Sequence, residues 1–262
     1  MDTYTLVPRQ HTYKRGDTPA ERPATITTDT ILQDQDGNVV GLYLHTLPQK
    51  LAQLVAIADA ETRNPKVPKS MMDRKKPVGV NANGTIKYEI VSQWSIISGS
   101  MPAKPHMRRN YPNRSTIHRC KAADTYCKAM SHAGRECLAL MAQLVPTVYA
   151  THMAAINANV QPKWLWAQGY TSSLTNCNIA AQMHTDNLNI KHTYNSIICK
   201  RANSTGGNLF IPDYDITFAQ PDNSLLIYPV WQNLHGVTPI VPTHPGGYRN
   251  THVFYALEGF KA

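Results

Sequence analysis

The second half of this 262-residue chain alternates short apolar runs with turn-forming residues, and this pattern constrains the fold more than any other feature. From about Trp164 onward, the runs are separated by Gly-Gly, Pro-Asp and Pro-Gly-Gly steps. Several short strands at regular spacing are typical of an antiparallel sandwich or barrel. The main runs are SIICK, NLFIPDYDITF, LLIYPVW and YRNTHVFYAL. We therefore predict an antiparallel β core for this half.

The first half mixes predicted strands with predicted helices. Residues 1–30 are polar and rich in Pro and Thr, which indicates an arm or a loosely packed first strand. Apolar spacing predicts a short helix over 48–60 and a longer one over 120–144, and residues 34–44 and 81–91 each predict a turn and a strand. Polar residues and a proline interrupt the apolar stretch 137–156, so we expect a core helix or helix pair there rather than a membrane span.

These elements together predict an α+β protein. We expect an N-terminal extension over residues 1–95, packed on a core that covers residues 96–262. The length suits one domain with a well-buried core, or such a core with N-terminal elaborations.

Positive charge is concentrated in two segments. The chain has 26 Lys and Arg against 17 Asp and Glu, a formal net charge of +9 at pH 7. One basic segment covers residues 63–76, which its prolines predict to be a loop, and the other covers 104–121 and contains no acid. The excess favours an anionic partner such as nucleic acid or an acidic membrane surface. The alternative is a basic surface without such a partner.

The cysteines and the N-terminus predict the compartment. The five cysteines are odd in number and show no C-x-x-C spacing, which argues against a zinc ribbon or a disulfide framework and favours reduced thiols. The first residues contain no apolar segment typical of a signal peptide. We expect a soluble intracellular protein, nuclear in a eukaryote and in the host cytoplasm for a phage or bacterial protein. No membrane association and no protein partner are implied.

Three residues in the second half match a metal-binding pattern. His184 and Asp186 form an H-x-D step, and on a strand two residues so spaced point to one face. His235 follows 49 residues after Asp186, at the end of an apolar run. Two histidines and one carboxylate on one face of a metal form the facial triad of non-haem Fe(II) oxygenases. An H-x-D step also arises by chance, and His184 alone could be a hydrogen-bonded strand histidine.

Arg249 strengthens this interpretation. It lies 14 residues after His235, and strand alternation puts Arg249, Thr251, Val253 and Tyr255 on one face. A guanidinium binds a carboxylate through two parallel hydrogen bonds, and the Thr251 hydroxyl can donate a third. In a double-stranded β-helix these groups would hold the distal carboxylate of 2-oxoglutarate. The alternative for Arg249 is a surface arginine beside the Pro-Gly-Gly turn.

Further motifs connect these residues. A Gly206-Gly207 step opens a strand that ends in Pro212-Asp213-Tyr214, and a turn and an apolar strand then lead to His235-Gly236. This arrangement resembles the oxygenase domain shared by the TET 5-methylcytosine dioxygenases and the JBP thymine hydroxylases, including their small phage and fungal relatives. The resemblance covers about residues 95–257 and is strongest over 174–257. The basic segment that precedes it is also similar to that of some relatives.

The resemblance implies a fold and a set of cofactors. It implies a double-stranded β-helix (jelly-roll, cupin-like) core with helices and basic loops packed on it. It further implies Fe(II), 2-oxoglutarate as cosubstrate and dioxygen. Asn176, eight residues before His184, could bind the cosubstrate or simply be a polar strand end. The chain lacks the cysteine-rich zinc-binding region of the animal TET enzymes.

The resemblance also implies a substrate. Family members read a flipped base with an Asn three residues after the metal Asp, a position that Asn189 occupies here; the alternative is a turn-forming Asn. His252 offers no second base contact, because strand alternation turns it away from the Arg249 face. We expect oxidation of a modified pyrimidine, 5-methylcytosine first, in double-stranded DNA by base flipping. Candidate backbone contacts are Arg108, Arg109, Arg114 and Arg119, whose alternative is solvated loop charge.

The sequence alone is also compatible with three other functions. The enzyme could hydroxylate thymine rather than 5-methylcytosine. It could be an oxygenase of a protein side chain or a small molecule, with its charge incidental. A cupin-like nucleic-acid-binding protein without turnover is the third alternative, against which the triad and Arg249 argue.

Overall fold

The computed structural model describes residues 1–261, apart from the side chains of residues 76 and 77. Ala262, the last residue of the predicted core, lies outside the described residues. The helices are α1 (Gln49–Glu61), α2 (Asp124–Leu144) and α3 (Pro146–Asn159). The strands are β1 (Asp2–Thr5), β2 (Thr30–Gln33), β3 (Val39–Leu44), β4 (Ser70–Met71), β5 (Arg74–Val80), β6 (Ile86–Val91), β7 (Trp94–Met101), β8 (Asn113–Arg114), β9 (Ser172–Cys177), β10 (Asn195–Ala202), β11 (Ser204–Gly206), β12 (Leu209–Ile211), β13 (Ile216–Phe218), β14 (Ser224–Tyr228), β15 (Gly236–Val237), β16 (Ile240–Pro242) and β17 (Tyr248–Tyr255). Short 3₁₀ turns lie at Pro105–Met107, Thr116–Arg119, Lys121–Ala123, Pro162–Trp164 and Pro212–Tyr214.

A ten-stranded sheet, here called the main sheet, forms the frame of the molecule. Its order is β1-β2-β3-β14-β10-β17-β9-β7-β4, and β8 also pairs with β7. The central strands β14, β10, β17, β9 and β7 are antiparallel to one another. The antiparallel core predicted for the second half is therefore present, and strands of the first half extend it on both sides.

A small sheet of order β13-β12-β15 packs on one face of the main sheet. An apolar cluster joins the two sheets, with Ile211 and Phe218 from the small sheet against Tyr43 and Leu226 from the main sheet. These side chains are buried because strand alternation turns them into the space between the sheets. This two-sheet core with flanking helices confirms the predicted α+β jelly-roll architecture.

The helices cover the opposite face of the main sheet. Helix α1 buries Leu51, Val55 and Ala58, whose spacing forms one helical face. The buried face of α2 follows the same rule and includes Tyr126, Ala129, Met130, Ala133, Gly134, Cys137, Leu138 and Met141. These faces join Ile198, Ile227 and Phe254 of the sheet in one cluster. Full burial of a Leu or Phe side chain contributes about 1.5–3 kcal/mol.

Most of the local predictions are correct in kind, although some bounds differ and one predicted loop is partly strand. Helix α1 begins directly after Pro48, as expected, and the apolar stretch 137–156 forms the predicted helix pair. Helix α2 begins at Asp124 rather than Cys120, because 3₁₀ turns occupy the preceding residues. The loop predicted over 63–76 is wrong in its second part, where β4 and the start of β5 lie. The domain boundary at residue 95 stays a prediction, and β7 runs through it.

Residues 6–26, here called the N-terminal arm, lie along the outer face of the small sheet. The arm contains no regular helix or strand, and its backbone bonds to the 3₁₀ turn after β12 near one end and to β13 near the other. Arg9 N–H donates to the Asp213 carbonyl at 2.7 Å, and Thr25 N–H donates to the Thr217 carbonyl at 2.8 Å. Phe210 points outward to the arm, where the Arg22 guanidinium lies 3.8 Å above its ring. The polar N-terminus is thus a packed arm.

None of the helices within residues 1–261 has both the length and the apolar character that a membrane span needs.

Buried histidines make stability depend on pH. His152 accepts a hydrogen bond from Tyr194 N–H at 3.0 Å and donates one to the Gly169 carbonyl at 2.9 Å, so only its neutral form fits. Burial lowers the pKa of His152 from 6.5 to about 4, and burial does the same to the pKa of His252. The unfolded chain therefore binds more protons between pH 4 and 6.5, and the stability present above pH 6.5 is lost as pH falls.

We expect His152 alone to reduce the free energy of unfolding by about 2 kcal/mol at pH 5 relative to pH 7. Urea unfolding of the wild type and His152→Gln at both pH values measures this contribution. The variant should show a shallower pH dependence, whereas His244→Gln, at an exposed position, should match the wild type. Equal pH dependence in all three proteins would contradict a neutral buried His152.

Candidate metal centre and anion site

A reciprocal backbone pair brings the two predicted metal histidines together. His184 N–H donates to the His235 carbonyl at 2.9 Å, and His235 N–H donates to the His184 carbonyl at 2.9 Å. The two residues form an antiparallel bridge beside β15, and their ring centroids lie 4.3 Å apart. Directly paired residues carry their side chains on the same face. Two residues that are distant in sequence thus have neighbouring imidazoles on one face of the backbone bridge.

Backbone carbonyls hold both imidazoles in the form that binds metal. His184 Nδ1 donates to the Gln182 carbonyl at 2.7 Å, and His235 Nδ1 donates to the Asn233 carbonyl at 3.0 Å. A carbonyl only accepts, so each ring carries its proton on Nδ1 and leaves the Nε2 lone pair free. Burial, and then the neighbouring His184, lower the pKa of His235, which favours its neutral form.

Asp186 completes the cluster by a route that differs from the prediction. His184 lies in an isolated bridge, and Asp186 follows it outside any strand, so strand alternation is not what brings them together. Asp186 Oδ1 nevertheless lies 3.6 Å from His184 Nε2, while Asn195 donates to Oδ2 at 3.3 Å. One ligand atom from each of His184, Asp186 and His235 lies within 4.8 Å of the others. This cluster can hold one metal ion with an open side.

Arg249 lies in the same cavity as the cluster and is almost fully buried. Strand β17 turns Arg249, Thr251, Val253 and Tyr255 into the cavity, as alternation predicted, and Asn176 lines it from β9 opposite Thr251. Arg249 is only 2% exposed, and no carboxylate among the described residues pairs with it. Burial lowers the pKa of Arg249, but a guanidinium remains charged in proteins.

The groups around Arg249 have more hydrogen-bond donors than acceptors. Arg249 Nη2 donates to Gln220 Oε1 at 3.0 Å, yet Arg249 Nε has no partner among residues 1–261. Gln220 Nε2 and one terminal nitrogen of Arg201 also have no partner among these residues. Arg201 on β10 lies directly opposite Arg249 on β17. Buried donors without partners and an unpaired charge are costly. The site therefore fits a buried anion with several acceptor atoms, such as a carboxylate.

The Gly-Gly step makes room for the Arg249 side chain. Gly207 adopts φ +67°, and a Cβ there would lie 2.5 Å from Arg249 Cδ and 2.7 Å from its Nε. Gly206 adopts φ +65°, and its Cβ would lie 2.0 Å from the Pro239 carbonyl oxygen. Both positions lie in the left-handed region, which glycine enters freely. This motif thus has a specific structural role at the anion site.

The cavity has a volume of about 410 Å³ and connects the anion site to the metal cluster. Apolar side chains from both sheets form much of its wall, among them Leu174, Ile197 and Leu209. Asn189 is also in this wall, and its Nδ2 donates to Asn195 Oδ1 at 3.0 Å and to Asp186 Oδ2 at 3.5 Å. No described residue donates to Asn189 Oδ1. His252 is buried on the opposite face, as predicted, where Thr175 Oγ1 lies 2.8 Å from its Nδ1.

The predicted DNA-contacting arginines do not form one group. Arg109, Arg114 and Arg119 line a groove of about 540 Å³ with Lys69 and Tyr111, here called the basic groove. Arg108 is exposed in the adjoining loop and lies outside the groove.

Arg114 is partly committed to the fold. It donates to Ser100 Oγ at 2.7 Å, to the Lys163 carbonyl at 3.0 Å and to the Leu165 carbonyl at 3.2 Å. These bonds occupy three of the five donors of the guanidinium. Burial lowers the pKa of Arg114.

Several site residues carried no signal in the sequence. Asn195 contacts Asp186 and Gln220 contacts Arg249, but they are ordinary polar residues, Asn195 at the start of β10 and Gln220 in the loop between β13 and β14. Arg201 could have been found, because alternation along β10 turns it to the Arg249 face. Arg15 comes from the N-terminal arm, and nothing local in the sequence connects it to the cavity that it lines.

Comparison with solved structures confirms the fold. The structure of NgTET1 in complex with 5mC DNA superposes with a TM-score of 0.60 at 17% identity, over 93% of this chain and 83% of that one. This chain shares the double-stranded β-helix fold with a TET protein. An oxidoreductase of the 2OG-Fe(II) oxygenase family from Burkholderia pseudomallei matches with a TM-score of 0.44 at 12% identity, over 85% and 89% of the two chains. No protein-family model and no curated protein sequence matches this chain.

We expect the cluster to bind one divalent transition-metal ion per chain. Replacing a ligand, as in His235→Ala, should cost more than the roughly 10–100-fold in affinity lost when a hydrogen-bonding partner of a ligand is removed. Anaerobic calorimetry with Mn²⁺ measures both stoichiometry and affinity. His244→Ala removes an exposed histidine and should bind like the wild type, and equal binding by His235→Ala would contradict the site.

Proposed function

We propose that this protein is an Fe(II)- and 2-oxoglutarate-dependent dioxygenase. One observation carries the proposal: a buried arginine with unpaired donors shares a cavity with a His-Asp-His cluster. The first group suits a carboxylate and the second suits a metal with open positions. A dicarboxylic keto acid is a ligand that could satisfy both at once. The fold shared with a TET protein agrees with this assignment.

His184 and His235 would hold iron through Nε2, and Asp186 would hold it through Oδ1. When bound, iron and 2-oxoglutarate together supply oxygen activation and the removal of hydrogen from an unactivated methyl group. Outer contacts from Gln182, Asn233 and Asn195 fix the three ligands before the metal binds. The protein contributes orientation, and no acid, base or nucleophile from the chain is required.

Arg249 would bind the distal carboxylate of 2-oxoglutarate, assisted by the Thr251 hydroxyl and by Asn176. Arg249 Nε and Nη2 provide the planar pair of donors that a carboxylate accepts. The apolar wall that includes Leu174 and Ile197 would exclude water from the reacting groups. This arrangement also explains why Arg249 is tolerated without a carboxylate of the protein.

For the substrate we propose the 5-methyl group of 5-methylcytosine in double-stranded DNA. The hydrogen bonds of Asn189 support cytosine over thymine. Its Nδ2 donates to Asn195 Oδ1 at 3.0 Å and lies 3.5 Å from Asp186 Oδ2, so Oδ1 is the amide atom that has no partner among the described residues and faces a ligand as an acceptor. Cytosine presents an amino donor to such an acceptor, whereas thymine presents a carbonyl oxygen at the same position. The 5mC DNA bound in the NgTET1 complex is consistent with this choice.

The position of the basic groove supports a DNA path that passes beside the cavity. Ser95 and Ile97 of β7 line the groove and lie opposite Asn176 and Leu174 of β9, which line the cavity. Paired residues share a face, and adjacent strands are about 4.8 Å apart, so groove and cavity are neighbours. Phosphate contacts there would offset the roughly few kcal/mol that base flipping costs. Arg108, Arg109 and Arg119 are the proposed contacts, and Arg114 mainly holds the groove together.

Arg249→Ala should raise the 2-oxoglutarate concentration at half-saturation roughly 10- to 100-fold, because it removes a charge-assisted pair of hydrogen bonds. The weak visible charge-transfer band of the anaerobic Fe(II) complex reports this titration. Gly207→Ala should weaken binding in the same direction, because its methyl group displaces the guanidinium.

A second titration keeps metal and cosubstrate binding separate. Mn²⁺ affinity without 2-oxoglutarate should be unchanged in Arg249→Ala. Loss of metal binding together with the band would contradict the assigned role of Arg249. A wild type without any band would contradict the iron assignment itself.

Incubation with methylated duplex DNA should convert 5-methylcytosine to an oxidised base and leave thymine largely unchanged. Asn189→Ala should reduce this conversion and narrow the preference between the two bases, because it removes the acceptor for the cytosine amino group. Mass spectrometry of the hydrolysed nucleosides measures both products. Asp36→Ala, at an exposed turn position, serves as the control variant.

The same assay decides between the alternatives. Oxidation of thymine instead of 5-methylcytosine would contradict the hydrogen-bond argument at Asn189. Unchanged nucleosides, despite conversion of 2-oxoglutarate to succinate, would point to a protein or small-molecule substrate.

A further inference from the structure

The N-terminal arm contacts both backbone segments that carry the metal histidines. Gly16 N–H donates to the Met183 carbonyl at 2.8 Å, and Met183 N–H donates to the Asp17 carbonyl at 2.8 Å. Met183 directly precedes His184. In the other segment, a Cβ on Gly236 would lie 2.7 Å from the Pro19 ring, so the glycine of the His-Gly step leaves room for the arm. The arm is therefore a component of the site.

Two further contacts anchor the arm to the loop before His235. Asp213 Oδ1 accepts from His11 of the arm at 2.7 Å, and its Oδ2 accepts from Asn233 at 2.6 Å. Asn233 in turn supplies the carbonyl that orients His235. The acid of the Pro-Asp-Tyr motif thus connects the arm to a metal ligand.

This anchoring carries Arg15 to the cavity. Residues 14–17 form a tight turn, in which Asp17 N–H donates to the Lys14 carbonyl at 3.1 Å and Lys14 N–H donates to Asp17 Oδ2 at 2.7 Å. Arg15, in the middle of the turn, is exposed and lines the cavity with His184, Thr185 and Asp186. Since Asp17 is used within the turn, no acid among the described residues forms an ion pair with Arg15.

We propose that Arg15 binds a phosphate next to the flipped nucleotide and so positions the substrate. This inference rests on the proposed function. A flipped base enters a cavity, but its charged phosphates stay outside with the duplex. A cationic residue that contacts them must therefore be exposed at the cavity wall and not bound by an acid of the protein. Arg15 is exposed there, and it has no such partner among the described residues. Arg249, which is buried, suits the cosubstrate carboxylate instead, so the two arginines serve different anions.

The test uses the complete chain with Fe(II) and 2-oxoglutarate under anaerobic conditions, where DNA binds without turnover. Fluorescence anisotropy gives the affinity for a duplex with one 5-methylcytosine. Two further duplexes carry a neutral methylphosphonate in place of the phosphate on its 5′ side or on its 3′ side. The proteins are the wild type, Arg15→Ala, Arg15→Lys and Lys128→Ala, whose exposed charge lies on α2 at the opposite face of the main sheet.

Arg15→Ala should bind the intact duplex about tenfold more weakly, the range of one charged hydrogen-bonded contact. The wild type should lose a similar factor at one of the two methylphosphonate positions, and Arg15→Ala should lose nothing more there. Such non-additivity identifies residue and phosphate as partners. Arg15→Lys should recover part of the affinity, and Lys128→Ala should resemble the wild type.

Independent losses at both methylphosphonate positions would overturn the role of Arg15 and leave the proposed function intact. An effect of Lys128→Ala equal to that of Arg15→Ala would overturn it too, because the loss would then reflect total charge. A wild type that binds no methylated duplex would overturn both the DNA substrate and the phosphate contact. Thermal unfolding of each variant confirms that the exposed substitutions leave the fold intact.

Discussion

The reciprocal backbone pair between His184 and His235 is the constraint on which the site depends. It makes two distant residues direct neighbours and sets both imidazoles on one face at a fixed spacing. The carbonyls two residues before each histidine then select the tautomer. A one-residue slip in this pairing would turn one imidazole to the other face of the small sheet. Metal affinity is therefore a property of strand register as much as of ligand identity.

The anion site and the metal centre also depend on glycines, whose missing side chains leave space for neighbouring groups. Gly207 leaves the space that the Arg249 side chain occupies, and Gly236 leaves the space for Pro19 of the arm. In both places a methyl group would collide with a neighbour that belongs to the functional centre. The glycines of the Gly-Gly and His-Gly motifs thus lie where two segments of the chain approach each other closely. The glycines act by leaving space for a neighbour, whereas the histidines and Arg249 act through the lone pairs and the positive charge of their side chains.

Much of the core was predictable from the sequence, because its signals are local. Alternation along β17 predicted that Arg249 and Tyr255 share a face and that His252 does not, and the cavity confirms both. The order of strands in the main sheet was not predictable, because β3 joins β14 through contacts that are distant in sequence. Asp186 does lie beside His184, but the predicted reason is wrong, because Asp186 lies outside any strand and strand alternation does not apply there.

Long-range polar contacts explain the remaining differences. Arg114 looked like its neighbours in the basic segment, yet acceptors at residues 163 and 165 bind it to the fold. Gln220 bonds Arg249 from the loop between β13 and β14, and no spacing rule connects the two. Charge and periodicity predict which residues could act at a site. Partners supplied by distant loops decide which of them remain free to do so.

The packed arm has a practical consequence for any shortened form of the protein. Its polar, proline-rich sequence resembles a dispensable tail, and a shortened form that begins at β2 would look harmless. Such a truncation would expose Phe210 and remove the backbone hydrogen bonds that Gly16 and Asp17 make with Met183, directly before His184. The metal ligands would all still be present in the shortened chain, but the backbone segments that carry them would no longer be covered by the arm.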